Sequence, residues 1–189
     1  MATDIFIREG LTQSQMSAIA DKYRHEFEVA HTEFVSIVEI LEFKLQIIYP
    51  DFRLIVRNRS TFHEEAVTRP EHNSIEVRSD IYESACEGDA RARFILAHEL
   101  GHFLLHKRQG RELHSSEQGY DETIRGMNSL ESAEDQANIF ARCFLIPTKI
   151  AFEHRNDART LAVKTGTTVK EARTAITISK RQEMFHLRN

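Results

Sequence analysis

Apolar residues recur along the first fifty positions at intervals of three and four. Met16, Ile19, Ala20, Tyr23, Phe27 and Ala30 line one face of a helix that opens at Thr12-Gln13-Ser14-Gln15, a capping-box spacing. Phe34, Ile37, Val38, Leu41 and Leu45 repeat the pattern. This second helix must end by Tyr49, because Pro50 disfavours the helical region for the residue before it. The spacing leaves open whether the two are one bent helix. From Phe52 the period shortens to two. Positions 52–57, the segment around Ala66-Val67-Thr68, and Ser74-Ile75-Glu76-Val77-Arg78 read as three short strands, separated by turns at 58–62 and at Pro70-Glu71-His72-Asn73. Their short connections predict a small, mostly antiparallel sheet. One edge of it is either capped or free to accept an extended peptide as an added strand.

Positions 89–106 follow a different pattern. Phe94, Ile95 and Leu105 lie on one stripe and Leu96, Leu100 and Phe103 on the opposite one, and a helix apolar nearly all round belongs inside a domain. The polar stretch 107–129 holds three of the chain's seven glycines and has no period, which predicts a lid, a binding loop or an unstructured connection. Another helix begins near Ser132 and runs to Leu145. Beyond Pro147, positions 160–176 read as a helix, a turn at Gly166 and a second helix opened by Thr168 and Glu171 at capping-box spacing, a helix-turn-helix-like texture. The whole predicts an α+β protein with an N-terminal helical segment (1–50), a core (51–147) and a helical C-terminal segment (148–189).

At 189 residues, 41% hydrophobic and 29% charged, the chain has the composition of a soluble globular domain. Asp4, Arg8 and Glu9 interrupt its beginning, so neither a signal peptide nor a membrane span is expected. Cys86 and Cys143 lack Cys-x-x-Cys spacing and are too few for a disulfide framework. Both are expected to be reduced packing residues in a cytoplasmic protein. The net charge of −4 is unevenly spread: from Arg155 onward eight basic residues face three acidic ones, a local +5, which leaves −9 on the remainder. Such a tail suits an acidic partner or nucleic acid, but an ordinary solvated helix surface explains it equally well.

The candidate chemistry lies in His98-Glu99-Leu100-Gly101-His102. Residues four apart share a helix face, so His98 and His102 can offer imidazole nitrogens to a single metal ion. Glu99 projects about 100° round the helix from His98, where a carboxylate can take a proton from an attacking water. This is the His-Glu-x-x-His arrangement of zinc peptidases. In a chain with ten histidines the motif alone also admits an ordinary packed helix with two satisfied histidines. The apolar flanks argue against that, since buried imidazoles must find partners and one cation satisfies both. Gly101 weakens the helix by about 1 kcal/mol relative to alanine, which a close approach by a neighbouring element would justify.

A catalytic zinc site usually takes three protein ligands. In the helix from Ser132, residues Glu134, Ala137, Asn138, Ala141 and Leu145 form one stripe, which points Glu134 into the core beside the metal helix. Glu131 and Asp135 fall about 60° and 100° off that line. Glu134 is therefore favoured as third ligand over simply complementing the positive end of its own helix. His106, about 80° from His98 on the same helix, is the rival, and more readily complements the negative helix end. His114 and Tyr120, in the polar stretch, are weaker candidates for stabilising an oxyanion.

The blocks Ala97 to His106, Glu134 to Ala141 and Leu145-Ile146-Pro147 together resemble the ImmA/IrrE family of metallopeptidases. The likeness covers roughly 52–147. It departs from the family pattern at Gln136, often Glu, and at Ile146, often Met. The resemblance implies a zincin-like core in which His98, His102 and Glu134 hold Zn2+, with Mn2+ the other candidate ion, and Glu99 is the catalytic base. It also implies a cytoplasmic endopeptidase acting on a helix-turn-helix transcriptional repressor in a stress-response or mobile-element switch. The C-terminal segment would engage that repressor or pack on the domain, with direct DNA binding through 155–189 ranked below both. The alternative is a non-proteolytic regulatory module of toxin–antitoxin type, with a structural metal site and a DNA or protein partner.

Overall fold

The structure, a computed structural model, describes residues 10–106 and 132–186, with side chains to Glu183. Helix α1 (Gln13–Glu26) opens with both halves of the capping box: the Thr12 side chain accepts from the Gln15 backbone, and the Gln15 side chain accepts from the Thr12 backbone N–H at 2.9 Å. It stops at Glu26 because Glu28 turns left-handed, with φ of 57°. Phe27 is therefore the last residue of the stripe to pack, as a buried C-cap, and Ala30 lies outside the helix.

The second pattern is a separate helical run. It comprises α2 (Ile37–Glu39), a π-helical turn (Ile40–Lys44) and α3 (Leu45–Ile48), with Ser36 as N-cap and Phe34 outside it. Arg24 holds the intervening link in place. It is 1% exposed and donates to the Phe144 carbonyl at 2.6 Å and the Thr32 carbonyl at 2.5 Å.

Strands β1 (Arg53–Arg57), β2 (Ala66–Arg69) and β3 (Ser74–Arg78) lie where the alternation puts them, but the sheet is mixed. Its order is β1-β3-β2, with β1 parallel to β3 and only β2 antiparallel to it. The expectation of mostly antiparallel pairing fails because β2 and β3 form a hairpin through a tight Pro70–His72 turn ending at left-handed Asn73. That hairpin seats β3 in the middle, so β1 can reach it only along its other edge, running the same way.

Helix α4 (Ser79–Cys86) follows β3 directly. At eight residues, and with no side-chain cap, it left no clear signal in the sequence. Helix α5 (Ala90–His106) is then capped by the Asp89 carboxylate, which accepts from the Ala92 backbone at 2.8 Å. Helices α6 (Ala133–Leu145), α7 (Thr148–Glu153), α8 (Ala158–Thr165) and α9 (Val169–His186) complete the chain.

A single core joins α1, α2, α3, the sheet, α5, α6 and the C-terminal helices. Leu96, Leu100, Phe103, Phe140 and Phe144 are fully buried at its centre, and Leu161, Ala172 and Ile176 extend it into the tail. The expected glycine turn is present, with Gly166 left-handed at the end of α8. The second capping box is only half formed. Thr168 accepts from the Glu171 backbone at 3.2 Å, but the Glu171 carboxylate turns to Arg142 at 2.6 Å. Arg155, Arg159, Lys164, Lys170, Arg173, Lys180 and Arg181 all face solvent, so the tail presents its positive charge outward and its small apolar residues inward.

Cys143 is buried, and burial pushes its thiol up to about 12, as suits a packing residue. Cys86 is exposed at the end of α4, contrary to expectation. Among the described residues no helix is long and apolar enough to cross a membrane.

Candidate metal centre

Helices α5 and α6 cross at Gly101. A Cβ there would lie 3.2 Å from the Ala137 Cα, 3.3 Å from the Ala137 carbonyl oxygen and 3.1 Å from Phe140 Cδ1, so backbone packs on backbone. This is the close approach that the glycine implied, and it brings the start of α6 over the exposed stripe of α5.

At that crossing three side chains converge. His98 Nε2 and His102 Nε2 stand 3.0 Å apart, His98 Nε2 is 3.2 Å from Glu134 Oε2, and His102 Nε2 is 3.2 Å from Glu134 Oε1. Among the described residues they form the group of histidine, cysteine and acidic side chains able to hold a metal ion. Donor atoms about 2.0–2.1 Å from a tetrahedral zinc ion lie roughly 3.3 Å from one another, close to all three separations, so the donor set and its spacing fit zinc.

The side chains of His98 and His102 are 15% and 17% exposed, but that of Glu134 is 45% exposed. Glu134 therefore closes the rim of the site instead of pointing into the core as its stripe suggested. The reason is that α6 begins there, with Ser132 capping it through the Asp135 backbone at 3.0 Å. The first turn overhangs the histidines, while Ala137 and Ala141 make the buried contact.

The electrostatics of the three groups are mutual. Hydrogen bonds from His102 and His98 hold the Glu134 carboxyl well below the usual carboxylate range, against the effect of burial. Burial works to lower His98, but the bond to Glu134 and the nearby Glu99 carboxylate outweigh it, and the net shift is upward.

Each histidine also has a partner for its other nitrogen. His98 Nδ1 lies 3.0 Å from Asn138 Oδ1, one turn along α6 from Glu134. His102 Nδ1 lies 3.2 Å from His106 Nδ1, and His106 Nε2 lies 3.1 Å from Gln136 Oε1. His106 is therefore a neighbour of the site, and among the described residues both its ring nitrogens are engaged by side chains, His102 and Gln136, and not by the carbonyls at the end of its own helix. Burial lowers its pKa to about 4, which keeps the ring neutral. Neither Asn138 nor Gln136 was singled out in the sequence as functional. For Asn138 the signal was its place four residues after Glu134, on the same helix face; Gln136, two residues on and about 200° round the helix, carried none.

Glu99 is 8% exposed and sits beside the cluster. Thr68 of β2 donates to its Oε2 at 2.7 Å and also lies 2.9 Å from its backbone carbonyl oxygen. The edge strand β2 is thereby fixed to the middle of α5. Thr68 was read in the sequence only as part of a strand. His114, Tyr120 and Glu131 lie outside the described residues.

The model of one protein family, Peptidase_M78, the IrrE N-terminal-like domain, matches residues 40–177, from the π-helical turn to the middle of α9. A solved Mycobacterium tuberculosis transcriptional regulator shares the fold with a TM-score of 0.54 and 13% identity, over 84% of this chain and 45% of that one. This chain thus spans less than half the length of that regulator. No curated protein matches it.

Proposed function

The chain belongs to the Peptidase_M78 family of IrrE N-terminal-like domains, and from that membership we propose that it is a zinc-dependent endopeptidase whose substrate is a helix-turn-helix transcriptional repressor. The observation that carries the proposal is the convergence of His98, His102 and Glu134 within hydrogen-bonding distance of one another, with the Glu99 carboxylate beside them. His98, His102 and Glu134 hold the ion, and manganese is the other candidate. Zinc bound there supplies Lewis acidity to the scissile carbonyl and makes water a competent nucleophile near neutral pH.

The remaining steps belong to the chain. Glu99 accepts the proton of the attacking water on its carboxylate and then delivers it to the leaving nitrogen, so one group serves as base and acid in turn. Thr68 holds that carboxylate in orientation through its hydroxyl. Among the described residues β2 pairs on one side only, with β3. An extended substrate segment laid along its other edge would pass beside Glu99, with main-chain hydrogen bonds supplying affinity. A repressor as substrate follows from the family, and the regulator of like fold is in keeping with it.

The test is cleavage of the repressor encoded beside the gene by the zinc-loaded protein, with Glu99→Gln alongside. Two fragments from the wild type and none from the variant, at equal zinc content, are expected. Cleavage that persists in the variant would defeat the mechanism.

A further inference from the structure

We infer that His106 and Gln136 form a two-step relay that locks His102 in the tautomer whose Nε2 is free to bind a metal ion, which makes both of them positioning residues for the centre. The inference rests on His102 being a ligand. A neutral imidazole carries one N–H and one lone pair, so if His102 Nε2 faces the ion, its proton sits on Nδ1.

His102 Nδ1 meets His106 Nδ1 at 3.2 Å. Two ring nitrogens make a hydrogen bond only as donor and acceptor, so His106 Nδ1 must be bare and the His106 proton must sit on Nε2. From there it points at Gln136 Oε1, 3.1 Å away, a carbonyl oxygen that can only accept. Each link runs in one direction. In the reverse order the Gln136 amide would donate to His106 Nε2, His106 would donate to His102 Nδ1, and the His102 proton would be driven onto Nε2. That proton would then sit on a nitrogen 3.0 Å from His98 Nε2 and point into the place of the ion.

Burial enforces the order. Residue 106 is 7% exposed and residue 136 only 1%, so a reversed or broken link cannot be repaired readily by solvent. His98 obtains the same service in a single step from Asn138. Helix α6 therefore contributes three things from two turns: Glu134 as a ligand, Asn138 as orienter of one histidine, and Gln136 as the far end of the relay that orients the other. Partners of this kind commonly govern metal affinity.

The test compares zinc dissociation constants of the full chain by chelator competition for the wild type, His106→Phe, His106→Gln, Gln136→Leu and Glu134→Ala. The wild type should bind one equivalent, and His106→Phe should weaken binding about 10- to 100-fold. His106→Gln, whose side-chain oxygen can accept from His102 Nδ1, should recover most of the loss. Gln136→Leu should fall between the two. A His106→Phe constant within about twofold of wild type would overturn the relay and leave the ligand assignment standing. Failure of the wild type to bind zinc, or unchanged binding by Glu134→Ala, would overturn the ligand assignment and the relay together.

A second measurement needs no variant. In the zinc-loaded wild type, a long-range nitrogen–proton correlation spectrum of the histidine rings should show the His106 proton on Nε2. A proton on Nδ1 would refute the relay.

Discussion

The Thr68 hydroxyl lies 2.7 Å from Glu99 Oε2 and 2.9 Å from the Glu99 backbone carbonyl oxygen, so a single edge-strand side chain touches both ends of the residue proposed as base. A hydroxyl has one hydrogen, and the carboxylate is the stronger acceptor. Thr68→Val keeps the shape and removes the donor. A hydrogen bond to a charged group is worth about 1.5–3 kcal/mol, so kcat for repressor cleavage should fall at least roughly tenfold. Zinc content and KM should be unchanged. A variant that loses zinc instead would show that Thr68 acts on the helix and not on its carboxylate.

Gly101 sets how deeply α6 seats on α5. An added Cβ would meet Phe140 Cδ1 at 3.1 Å and backbone atoms of Ala137 at 3.2 and 3.3 Å, and the backbone atoms cannot rotate away. Gly101→Ala gains about 1 kcal/mol of helix propensity but forces overpacking that costs about 1–3 kcal/mol. The net effect should be a modest loss of stability in urea. Since Glu134 rides on α6, zinc affinity should fall as well. A variant more stable than wild type, with unchanged affinity, would show that the two helices separate freely.

Much of this architecture could be read from the chain. The period of three to four and the flanking caps located α1, α5 and α6 to within a few residues, because each buries a continuous stripe. The two histidines were legible since four-residue spacing on a helix fixes their relative placement whatever surrounds them. Pairing in the sheet was not, because alternation says which residues form strands but not which strand becomes central. The exposure of Glu134 was missed for a similar reason: a stripe gives direction about the helix axis, while the overhang of the first turn depends on where α6 crosses α5. His106 was read against its own helix end, and its buried contact with Gln136 depends on the same crossing.

Arg93 is a clasp between distant segments. It is 1% exposed, donates to the Thr165 carbonyl at 2.9 Å, to the Gly166 carbonyl and to the Val35 carbonyl at 2.8 Å, and lies over the Phe34 ring. It thereby ties the link before α2 and the end of α8 to α5. Arg93→Met leaves three carbonyls without this donor, and should cost about 3–5 kcal/mol in urea unfolding. Arg91→Met, two residues away, removes only an exposed ion pair with Glu65 and should cost less than about 1 kcal/mol. Equal losses from the two would mean that Arg93 is not a clasp.

The zinc-free protein should weaken in mild acid because of His106. Burial lowers its folded pKa to about 4, from the ordinary 6.5. Between these values the unfolded chain takes up a proton that the folded ring refuses, so stability is full above pH 6.5 and falls as the pH drops towards 4, by at most about 1.4 kcal/mol per pH unit. His98 does not blur this window. Its folded value is raised, so its contribution is fully present below pH 6.5 and is lost only as the pH rises through that folded value. Glu134 is held below the carboxylate range, so its contribution begins to fade only near 4.5, where the unfolded chain starts to protonate. Melting temperatures in excess chelator should therefore decline from pH 6.5 to 4 more steeply in wild type than in His106→Gln, which has no proton to refuse. Parallel curves would mean that the ring at position 106 takes up its proton as readily folded as unfolded.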